Sequence, residues 1–386
     1  MRAAGRVTSA GPASSVPEIT APFDRRQGHP HRVGNCEARS IRSAIFGQPQ
    51  RKAVAHESRH PGRRHMMHEA HDNVRCTHTG GADTVAILLS TYNGEAYLAD
   101  QLASLERQTY PYWRLIWRDD GSSDRTRALM SEFGARVGKA RCHELTAPSG
   151  RLGVLESYMT LVRAAQGYPF VAFADQDDVW LPEKLARAAH VLHGITDRPA
   201  LYCGRQRLVD RDLRPLRASP AFCADLPFPA ALAQNIATGC TILLNRLAAD
   251  IIARSRPPKI SLHDWWSYIV VSAHGGPVFF DQEPYILYRQ HPHNTIGCAS
   301  IATRIRRMLH KKPSQVLQAI DAHAQALQDS IPTLPPETAD KLKRLRATLR
   351  MPYMTRLAFA LKLDLRRQSW TESVLMALRT TTARLP

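Results

Sequence analysis

A repeated order of apolar and amphipathic segments between residues 85 and 192 is the feature that most limits the possible folds of this chain. Three short runs rich in apolar residues have the length of a buried strand, and each is followed by a segment with helical spacing of its apolar residues. The predicted strands are Val85–Leu89, Trp113–Arg118 and Phe170–Ala174. Strands that alternate with helices favour an α/β domain with a mostly parallel central sheet, because a crossover must carry the chain back before each parallel strand.

The two ends of the chain differ from this middle part. The 386 residues carry a formal net charge of +18, and much of the excess lies before residue 80 and after about Ile301. Residues 1–82 show no helical or strand period, so we predict a disordered basic tail; the alternatives are a nucleic-acid-binding arm and an over-long reading frame. The chain then divides into this tail, an α/β domain over residues 83–300 and basic amphipathic helices over residues 301–386.

Cysteine usage and hydropathy indicate the cellular compartment. The seven cysteines are scattered and form no CxxC pair, which is typical of reduced thiols. The sequence has no apolar run of about 18 residues and no apolar segment of a secretory signal near its start. We therefore expect a cytoplasmic protein that neither spans a membrane nor enters the secretory route.

Polar clusters follow each of the three predicted strands. They are Ser90–Asn93, Asp119–Ser122 and Asp175–Asp178. Because the carboxyl ends of parallel strands share one edge of a sheet, we expect the clusters to converge there, where α/β proteins bind ligands. The alternatives are a turn with a helix cap for the second cluster and a polar loop for the third.

The third cluster, F-A-D-Q-D-D-V-W-L-P-E-K, raises an electrostatic question. Three carboxylates within four positions repel one another unless a cation or water meets them. The sequence has no glycine-rich phosphate loop of either common type, so the phosphates of a bound nucleotide need a metal or basic side chains. Oxygen ligands without cysteine suit Mg²⁺ or Mn²⁺.

Seven motifs in order make the chain similar to the family 2 glycosyltransferases, and within them to the bacterial rhamnosyltransferase-like branch. They are L-L-S-T-Y-N-G-E-A-Y-L, Q-T-Y, R-D-D-G-S-S-D, F-A-D-Q-D-D-V-W-L-P-E-K, N-I-A-T-G-C-T, H-D-W-W and Y-R-Q-H-P-H-N-T-I-G. They span about Val85 to Gly297. The resemblance implies a single Rossmann-like domain of the glycosyltransferase A fold.

The resemblance also implies roles for individual residues on the donor side. The residues matched to nucleotide contacts are Thr91, Tyr92, Asn93, Glu95 and either Asp119 or Asp120. Asp175 matches a carboxylate that reaches the ribose or the metal, and Asp177 one that binds the metal. For Asp178 the alternatives are a group that supports the metal ligands from behind and one that orients the turn.

Downstream motifs match the rest of such a site. Asp264 stands where the family places its catalytic base, and Trp265 and Trp266 where aromatic rings wall the sugar; the alternative is a helix cap followed by two core tryptophans. Arg289 is a candidate for neutralising the diphosphate, and His291 for binding metal or phosphate, or for a structural role. Asn235–Thr241 is an acceptor-side loop or a simple turn.

The resemblance implies an inverting transfer that depends on Mg²⁺ or Mn²⁺. The implied donor is dTDP-L-rhamnose, and the acceptor a lipid-linked or polysaccharide glycan such as O-antigen or exopolysaccharide. The alternatives are a transferase of another hexose from a UDP-sugar, a sugar nucleotidyltransferase, and a nucleotide- or nucleic-acid-binding protein. We expect no nucleic-acid partner. The C-terminal helices either lie on the inner face of the plasma membrane or pack on the catalytic domain.

Overall fold

The computed structural model describes residues 83–382 apart from 147, 149, 225, 227, 293–309, 311, 353–355 and 357–364. The predicted tail and most of the segment R-I-R-R-M-L-H-K-K therefore lie outside the described residues. The strands are β1 (Val85–Thr91), β2 (Trp113–Asp119), β3 (Cys142–Glu144), β4 (Phe170–Ala174), β5 (Val179–Trp180), β6 (Leu201–Gly204), β7 (Arg207–Val209), β8 (Pro215–Ala218), β9 (Leu243–Asn245), β10 (Val278–Asp281) and β11 (Ile286–Arg289).

The helices alternate with the strands as far as β4, and β4 and β5 follow each other without a helix between them. They are α1 (Leu98–Glu106), α2 (Thr126–Val137), α3 (Val154–Ala164), α4 (Lys184–Leu192), α5 (Ala230–Ala233), α6 (Arg246–Arg254), α7 (His263–Ala273), α8 (Pro313–Ser330), α9 (Pro336–Leu349) and α10 (Trp370–Thr382). A single 3₁₀ turn, Gly239–Thr241, precedes β9.

The central sheet has seven strands in the order β10-β6-β9-β4-β1-β2-β3. Strand β9 runs antiparallel to both of its neighbours, and the other pairings are parallel. This confirms the predicted α/β fold with a mostly parallel sheet. Leu89 lies opposite Trp117 on one side and Ala174 on the other, so β1, β2 and β4 end at the same edge.

A second sheet of four short strands, in the order β5-β11-β7-β8, was not predicted. Strand β5 begins directly after Asp178 and pairs antiparallel with β11, where Leu287 lies opposite Val179. Strands of two to four residues are too short to show a period of two in the sequence. The pairing matters for the site because it carries the Y-R-Q-H segment to the acidic loop.

Two hydrophobic clusters cover the two faces of the central sheet. Ala86 and Leu88 of β1 point into one cluster, and Val85, Ile87 and Leu89 into the other, as the alternation of side chains along a strand requires. The described parts of α8, α9 and α10 pack into the first cluster through Leu317, Ile320, Leu327, Leu342, Leu345 and Met376. Packing against the domain, one of the two alternatives for the C-terminal helices, is therefore observed in this part of the chain.

Candidate active site

The loops after β1 and β2 are joined by side-chain hydrogen bonds. The Thr91 hydroxyl donates to Asp119 Oδ1 over 3.0 Å. Asn93 Oδ1 accepts from the Ser123 backbone N–H over 2.9 Å, and Glu95 Oε2 accepts from the Arg125 N–H over 2.8 Å. Three residues matched to nucleotide contacts thus hold the two loops together in the structure, and their contact with a nucleotide stays a prediction.

The loop after β4 joins the same group through Gln176. Its side-chain amide accepts from the Tyr92 backbone N–H and donates to the Tyr92 carbonyl, both over 2.9 Å. A Cβ atom at Gly94 would lie 2.4 Å from Gln176 Oε1, so only glycine allows this approach. The three polar clusters therefore converge at one sheet edge as predicted, and Tyr92 remains 38% exposed there.

Asp119 and Asp120 are both engaged by the protein. Asp119 Oδ2 accepts from the backbone N–H groups of Gly121 and Ser122, which is the turn that we kept as the alternative. Asp120 pairs with the buried Arg118 over 2.6 Å and accepts from the N–H groups of Leu152 and Gly153. These hydrogen bonds and the Arg118 charge outweigh burial and lower the pKa of Asp120, so this carboxylate anchors the start of α3 in its ionised form.

Asp175 lies at the deep end of the acidic loop. Burial, and then the neighbouring charge of Asp177, raise its pKa to about 7, and the charge of Asp264 acts in the same direction. The Tyr158 hydroxyl donates to the Ala174 carbonyl over 2.7 Å and lies 3.1 Å from Asp175 Oδ1. Asp264 also lies near this loop, because a Cβ atom at Gly239 would be 3.6 Å from Asp264 Cβ, and ligand atoms of Cys240, the next residue, and of Asp175 lie within 4.8 Å of each other.

Asp177 contacts the other predicted metal ligand directly. His291 Nε2 lies 2.8 Å from Asp177 Oδ2, and the imidazole packs on the Tyr97 ring with the ring centres 4.9 Å apart. The Arg289 guanidinium lies over the same tyrosine ring and is 2% exposed. It donates to the Asp177 carbonyl and to Asp100 Oδ2 over 2.9 and 2.8 Å. Arg289 is therefore committed to holding the acidic loop, and its predicted contact with a diphosphate is not visible in this arrangement.

Asp178 is fully buried beneath the loop. Its Oδ1 accepts from the Arg289 backbone N–H over 3.2 Å, which ties the loop to β11. The Cys240 thiol lies within 4.8 Å of the same carboxyl group. Burial, followed by the charge of Asp177, raises the pKa of Asp178 well above its usual value. Lys184 is also buried nearby, with Nζ over the Trp180 ring at 3.4 Å, and burial lowers its pKa to about 7. The Arg289 backbone N–H is thus a hydrogen-bond partner of Asp178, and the sequence alone did not identify it.

The candidate base, Asp264, lies in the first turn of α7 and is 9% exposed. The helix begins at His263 with Leu262 at its N-cap, so Asp264 is not the capping residue. Burial raises its pKa to about 6, while hydrogen bonds from the Trp265 and Gly239 N–H groups and from the Asn235 side chain oppose this shift. The carboxyl group is therefore ionised at neutral pH in a largely desolvated position.

The two tryptophans of H-D-W-W have different environments. Trp266 is fully buried, and its Nε1 donates to Ser255 Oγ over 2.7 Å, so the alternative of a core residue describes it. Trp265 is half-buried, donates from Nε1 to the Ala231 carbonyl over 2.8 Å, and packs on His323 of α8. Trp266 therefore offers no ring face to a sugar in this structure. The predicted contact with a sugar stays a prediction for Trp265 alone.

Sequence reasoning missed several residues of the site. They are Tyr97, Arg118, Tyr158, Gln176 and Lys184. Tyr97, Arg118, Gln176 and Lys184 stand inside the quoted motifs, so their positions in those motifs were the signal available. Tyr158 lies outside all seven motifs, and no sequence signal marked it.

The acidic loop offers two groups of candidate ligands for a divalent cation. Among the described residues, ligand atoms of Asp175, Asp178 and Cys240 lie within 4.8 Å of one another. Burial and the charge of Asp178 raise the thiol pKa of Cys240 well above its usual value, so the thiol stays protonated and is a poor ligand. Asp177 and His291 present a carboxylate oxygen and an imidazole nitrogen 2.8 Å apart, with side chains 22% and 8% exposed. Metal binding by Asp175, Asp177 and His291 together stays a prediction.

Among the residues that the structure describes, no helix combines the length and the hydropathy needed to cross a bilayer.

Comparison with known proteins bears on this arrangement. Residues 86–240 match the family model described as glycosyl transferase family 2. The chain is 25% identical over 259 residues to a dTDP-rhamnosyl transferase, RfbG, of Shigella flexneri, and the match covers 62% of this chain and 85% of that protein. It is 36% identical over 101 residues to the Escherichia coli UDP-Glc:alpha-D-GlcNAc-diphosphoundecaprenol beta-1,3-glucosyltransferase WfgD, covering 26% of this chain and 38% of that one.

A solved structure shares the fold. Residues 1–349 of S. aureus TarS, in complex with UDP-GlcNAc, align with a TM-score of 0.50 and 16% identity over 77% of this chain and 81% of that chain. The matched segment contains β1, β2, β4 and the acidic loop, and the 85% coverage of RfbG extends the likeness over most of a relative. Residues 86–240 of this chain therefore form a family 2 glycosyltransferase domain.

Proposed function

We propose that this enzyme transfers L-rhamnose from dTDP-L-rhamnose to a cell-surface glycan, with inversion at the anomeric carbon and with a divalent cation. The observation that carries the proposal is the approach of Asp264 to the acidic loop: a Cβ atom at Gly239 would lie 3.6 Å from Asp264 Cβ, and ligand atoms of Cys240, the next residue, and of Asp175 lie within 4.8 Å of each other. The likeness to a dTDP-rhamnosyl transferase over 85% of its length supports the donor.

The donor side is formed by the converging loops. Tyr92 and Asn93 face the nucleotide, and Asp175 with Asp177 and His291 would hold Mg²⁺ or Mn²⁺. A bound cation at this position would neutralise the diphosphate and stabilise the charge that develops on the departing nucleoside diphosphate. It would also offset the repulsion between the two neighbouring carboxylates.

Asp264 supplies the acid–base chemistry. In an inverting transfer the acceptor hydroxyl attacks the anomeric carbon from the face opposite the leaving group, and a base takes its proton. The Asp264 carboxylate is buried, is ionised at neutral pH and accepts a hydrogen bond from the Trp265 N–H over 2.6 Å, which suits a base of moderate strength. Trp265, next to it, is our candidate for contact with the sugar or the acceptor.

The acceptor side is proposed from the relatives. The name of the E. coli relative gives a diphosphoundecaprenol-linked acceptor, which favours a lipid-linked glycan and a position on the inner face of the plasma membrane. Sedimentation with anionic vesicles tests this. Charge reversal at Arg306, Arg307, Lys311 and Lys312 should reduce binding, and unchanged binding would remove the basic segment as an anchor.

A donor screen tests the function itself. Purified enzyme is incubated with dTDP-L-rhamnose, UDP-glucose or UDP-N-acetylglucosamine, with Mn²⁺, Mg²⁺ or EDTA, and the released nucleoside diphosphate is measured. We expect the fastest release from dTDP-L-rhamnose and loss of release with EDTA. Faster release from a UDP-sugar would favour the alternative donor, release of pyrophosphate would indicate a nucleotidyltransferase, and no release from any donor would contradict the proposal.

A variant pair links the result to the site. Asp177→Asn removes a proposed metal ligand, and Asp197→Asn makes the same change at a carboxylate whose side chain is 75% exposed. We expect the first variant to need about tenfold or more Mn²⁺ for half-maximal release, and the second to behave as wild type.

A further inference from the structure

Tyr158, on α3, lies next to the point where β4 enters the acidic loop, and it is 3% exposed. Its hydroxyl oxygen is 2.7 Å from the Ala174 carbonyl oxygen and 3.1 Å from Asp175 Oδ1. The two acceptors belong to consecutive residues, the last of β4 and the first of the loop. The hydroxyl is therefore within hydrogen-bond distance of a carboxyl group that we propose as a metal ligand.

The ring of Tyr158 is held in place by two other rings. The His263 imidazole is stacked on it with the ring centres 3.8 Å apart, and the Phe173 ring meets it edge-on at 5.7 Å. Neither ring nitrogen of His263 has a hydrogen-bond partner among the described residues, so ring packing orients this imidazole. His263 directly precedes Asp264 in the first turn of α7. The Tyr158 hydroxyl is thus positioned by packing in which the helix of the proposed base takes part.

The chemistry of the hydroxyl suits a contact with a ligating carboxylate. A phenol has one hydrogen, which the two acceptors share here. A carboxylate that binds a metal is ionised, and an ionised acceptor attracts such a hydrogen more strongly than a carbonyl does. A hydrogen bond of this kind orients the ligand, and its loss lowers metal affinity.

We infer that Tyr158 is a positioning residue whose hydroxyl orients the Asp175 carboxylate toward a divalent cation. The inference rests on the proposed function, which makes Asp175 a metal ligand. The competing explanation is that Tyr158 only fills the core between α3, β4 and α7, and that its hydroxyl serves the Ala174 carbonyl.

Tyr158→Phe separates these explanations, because phenylalanine keeps the ring and removes only the hydroxyl. The donor Kd is measured by calorimetry at limiting and at saturating Mn²⁺, with dTDP-L-rhamnose or the UDP-sugar that the screen favours. We expect a donor Kd about tenfold weaker than wild type at limiting Mn²⁺, since donor binding is then linked to a cation that is held less tightly. At saturating Mn²⁺ the Kd should return to within about twofold of wild type.

Tyr202→Phe is the matched control. The Tyr202 hydroxyl lies 3.0 Å from Asp281 Oδ2, and Tyr202 is also 3% exposed. The substitution removes the same kind of contact, between a buried tyrosine hydroxyl and a carboxyl group, from β6, which is two strands away from β4 in the central sheet. We expect the two variants to have similar thermal midpoints, and Tyr202→Phe to bind the donor as wild type does at both Mn²⁺ concentrations.

The outcomes distinguish failure of the inference from failure of the proposed function. A wild-type Kd in Tyr158→Phe at limiting Mn²⁺, with Asp175→Asn weakened there, would overturn the inference alone. A Kd weakened equally at both Mn²⁺ concentrations, or equally in Tyr202→Phe, would also overturn it, because the hydroxyl would then act on the nucleotide or on the fold. Donor binding by wild type that does not depend on Mn²⁺, or wild-type binding by Asp175→Asn, would contradict the proposed metal site and the inference together.

Discussion

At the scale of single residues, the buried Asp264 carboxyl group decides how the enzyme should respond to pH. Burial raises its pKa to about 6, and three hydrogen bonds keep the shift from being larger. A general base acts only in its ionised form, so the active fraction falls tenfold for each pH unit below this value. The same burial disfavours the charged form and thus makes folding less favourable as the pH rises from about 4 to 6.

The expected pH profile of transfer follows from the need for an ionised Asp264 carboxylate. The kcat/KM of transfer should rise between pH 5 and 7 with an apparent pKa of about 6 and level off above it. The profile is measured with saturating Mn²⁺ in buffers of constant ionic strength. A rate that does not change between pH 5 and 7 would contradict the assignment of Asp264 as the base.

Some contacts of single residues could not be predicted from the sequence. Polar motifs after strands identified the neighbourhood of the site, because the end of a parallel strand fixes where its loop lies. The engagement of Asp120 by Arg118, and the full burial of Trp266 beside the half-buried Trp265, depend on partners distant in the sequence. Nothing in the spacing of H-D-W-W indicates which tryptophan faces the core.

At the scale of elements, the long regular segments were predicted well and the short ones were not. Strand β4 lies where the apolar pattern placed it. Strand β9 begins only at Leu243, because residues 239–241 form a 3₁₀ turn that carries Gly239 against α7. Tertiary contact with α7 therefore overrides the local pattern.

This turn leads to a prediction for Gly239→Ala. A Cβ atom at Gly239 would lie 2.9 Å from His263 Nε2, and the His263 ring is stacked on Tyr158 with centres 3.8 Å apart. Because the imidazole is held between rings, the added methyl group should displace the turn and with it the N–H donor to Asp264. We expect a loss of about 1–3 kcal/mol in the free energy of unfolding and a clear fall in transfer.

The measurement compares Gly239→Ala with Gly134→Ala. The second position lies inside α2, where the nearest side-chain atom to an added Cβ is Cys142 Sγ at an ordinary 3.6 Å. Alanine there should be neutral or stabilising, since it has the higher helix propensity. Equal denaturant midpoints and equal transfer rates for the two variants would show that the approach of Gly239 to α7 is unimportant.

At the scale of the described molecule, the C-terminal helices and the sheet share one core. Leu317, Ile320 and Leu327 of α8 pack in the same cluster as Val171 and Phe173 of β4. The hydroxyl of Thr338 in α9 donates to the Ala273 carbonyl at the end of α7. The sequence predicted these helices, but their amphipathic pattern fits a membrane surface as well as a protein surface, so their packing could not be chosen from periodicity.

Removal of residues 301–386 should therefore prevent stable folding. Each large apolar side chain that becomes exposed costs about 1.5–3 kcal/mol. The sum over three such helices reaches the total stability of a typical domain, roughly 5–15 kcal/mol. We expect the truncated protein to aggregate or to lose its cooperative thermal transition. Deletion of the predicted tail, residues 1–82, is the control, and a truncated protein with the wild-type midpoint would contradict a shared core.

The most direct test of the whole account is the Asp264→Asn variant with the donor identified by the screen. Donor binding is measured by calorimetry with Mn²⁺, and transfer by the appearance of glycosylated acceptor. Because Asp264 acts on the acceptor hydroxyl and not on the nucleotide, the account predicts a donor Kd within about twofold of wild type and a loss of transfer of about 10²- to 10⁴-fold. Transfer at the wild-type rate by Asp264→Asn would contradict the account.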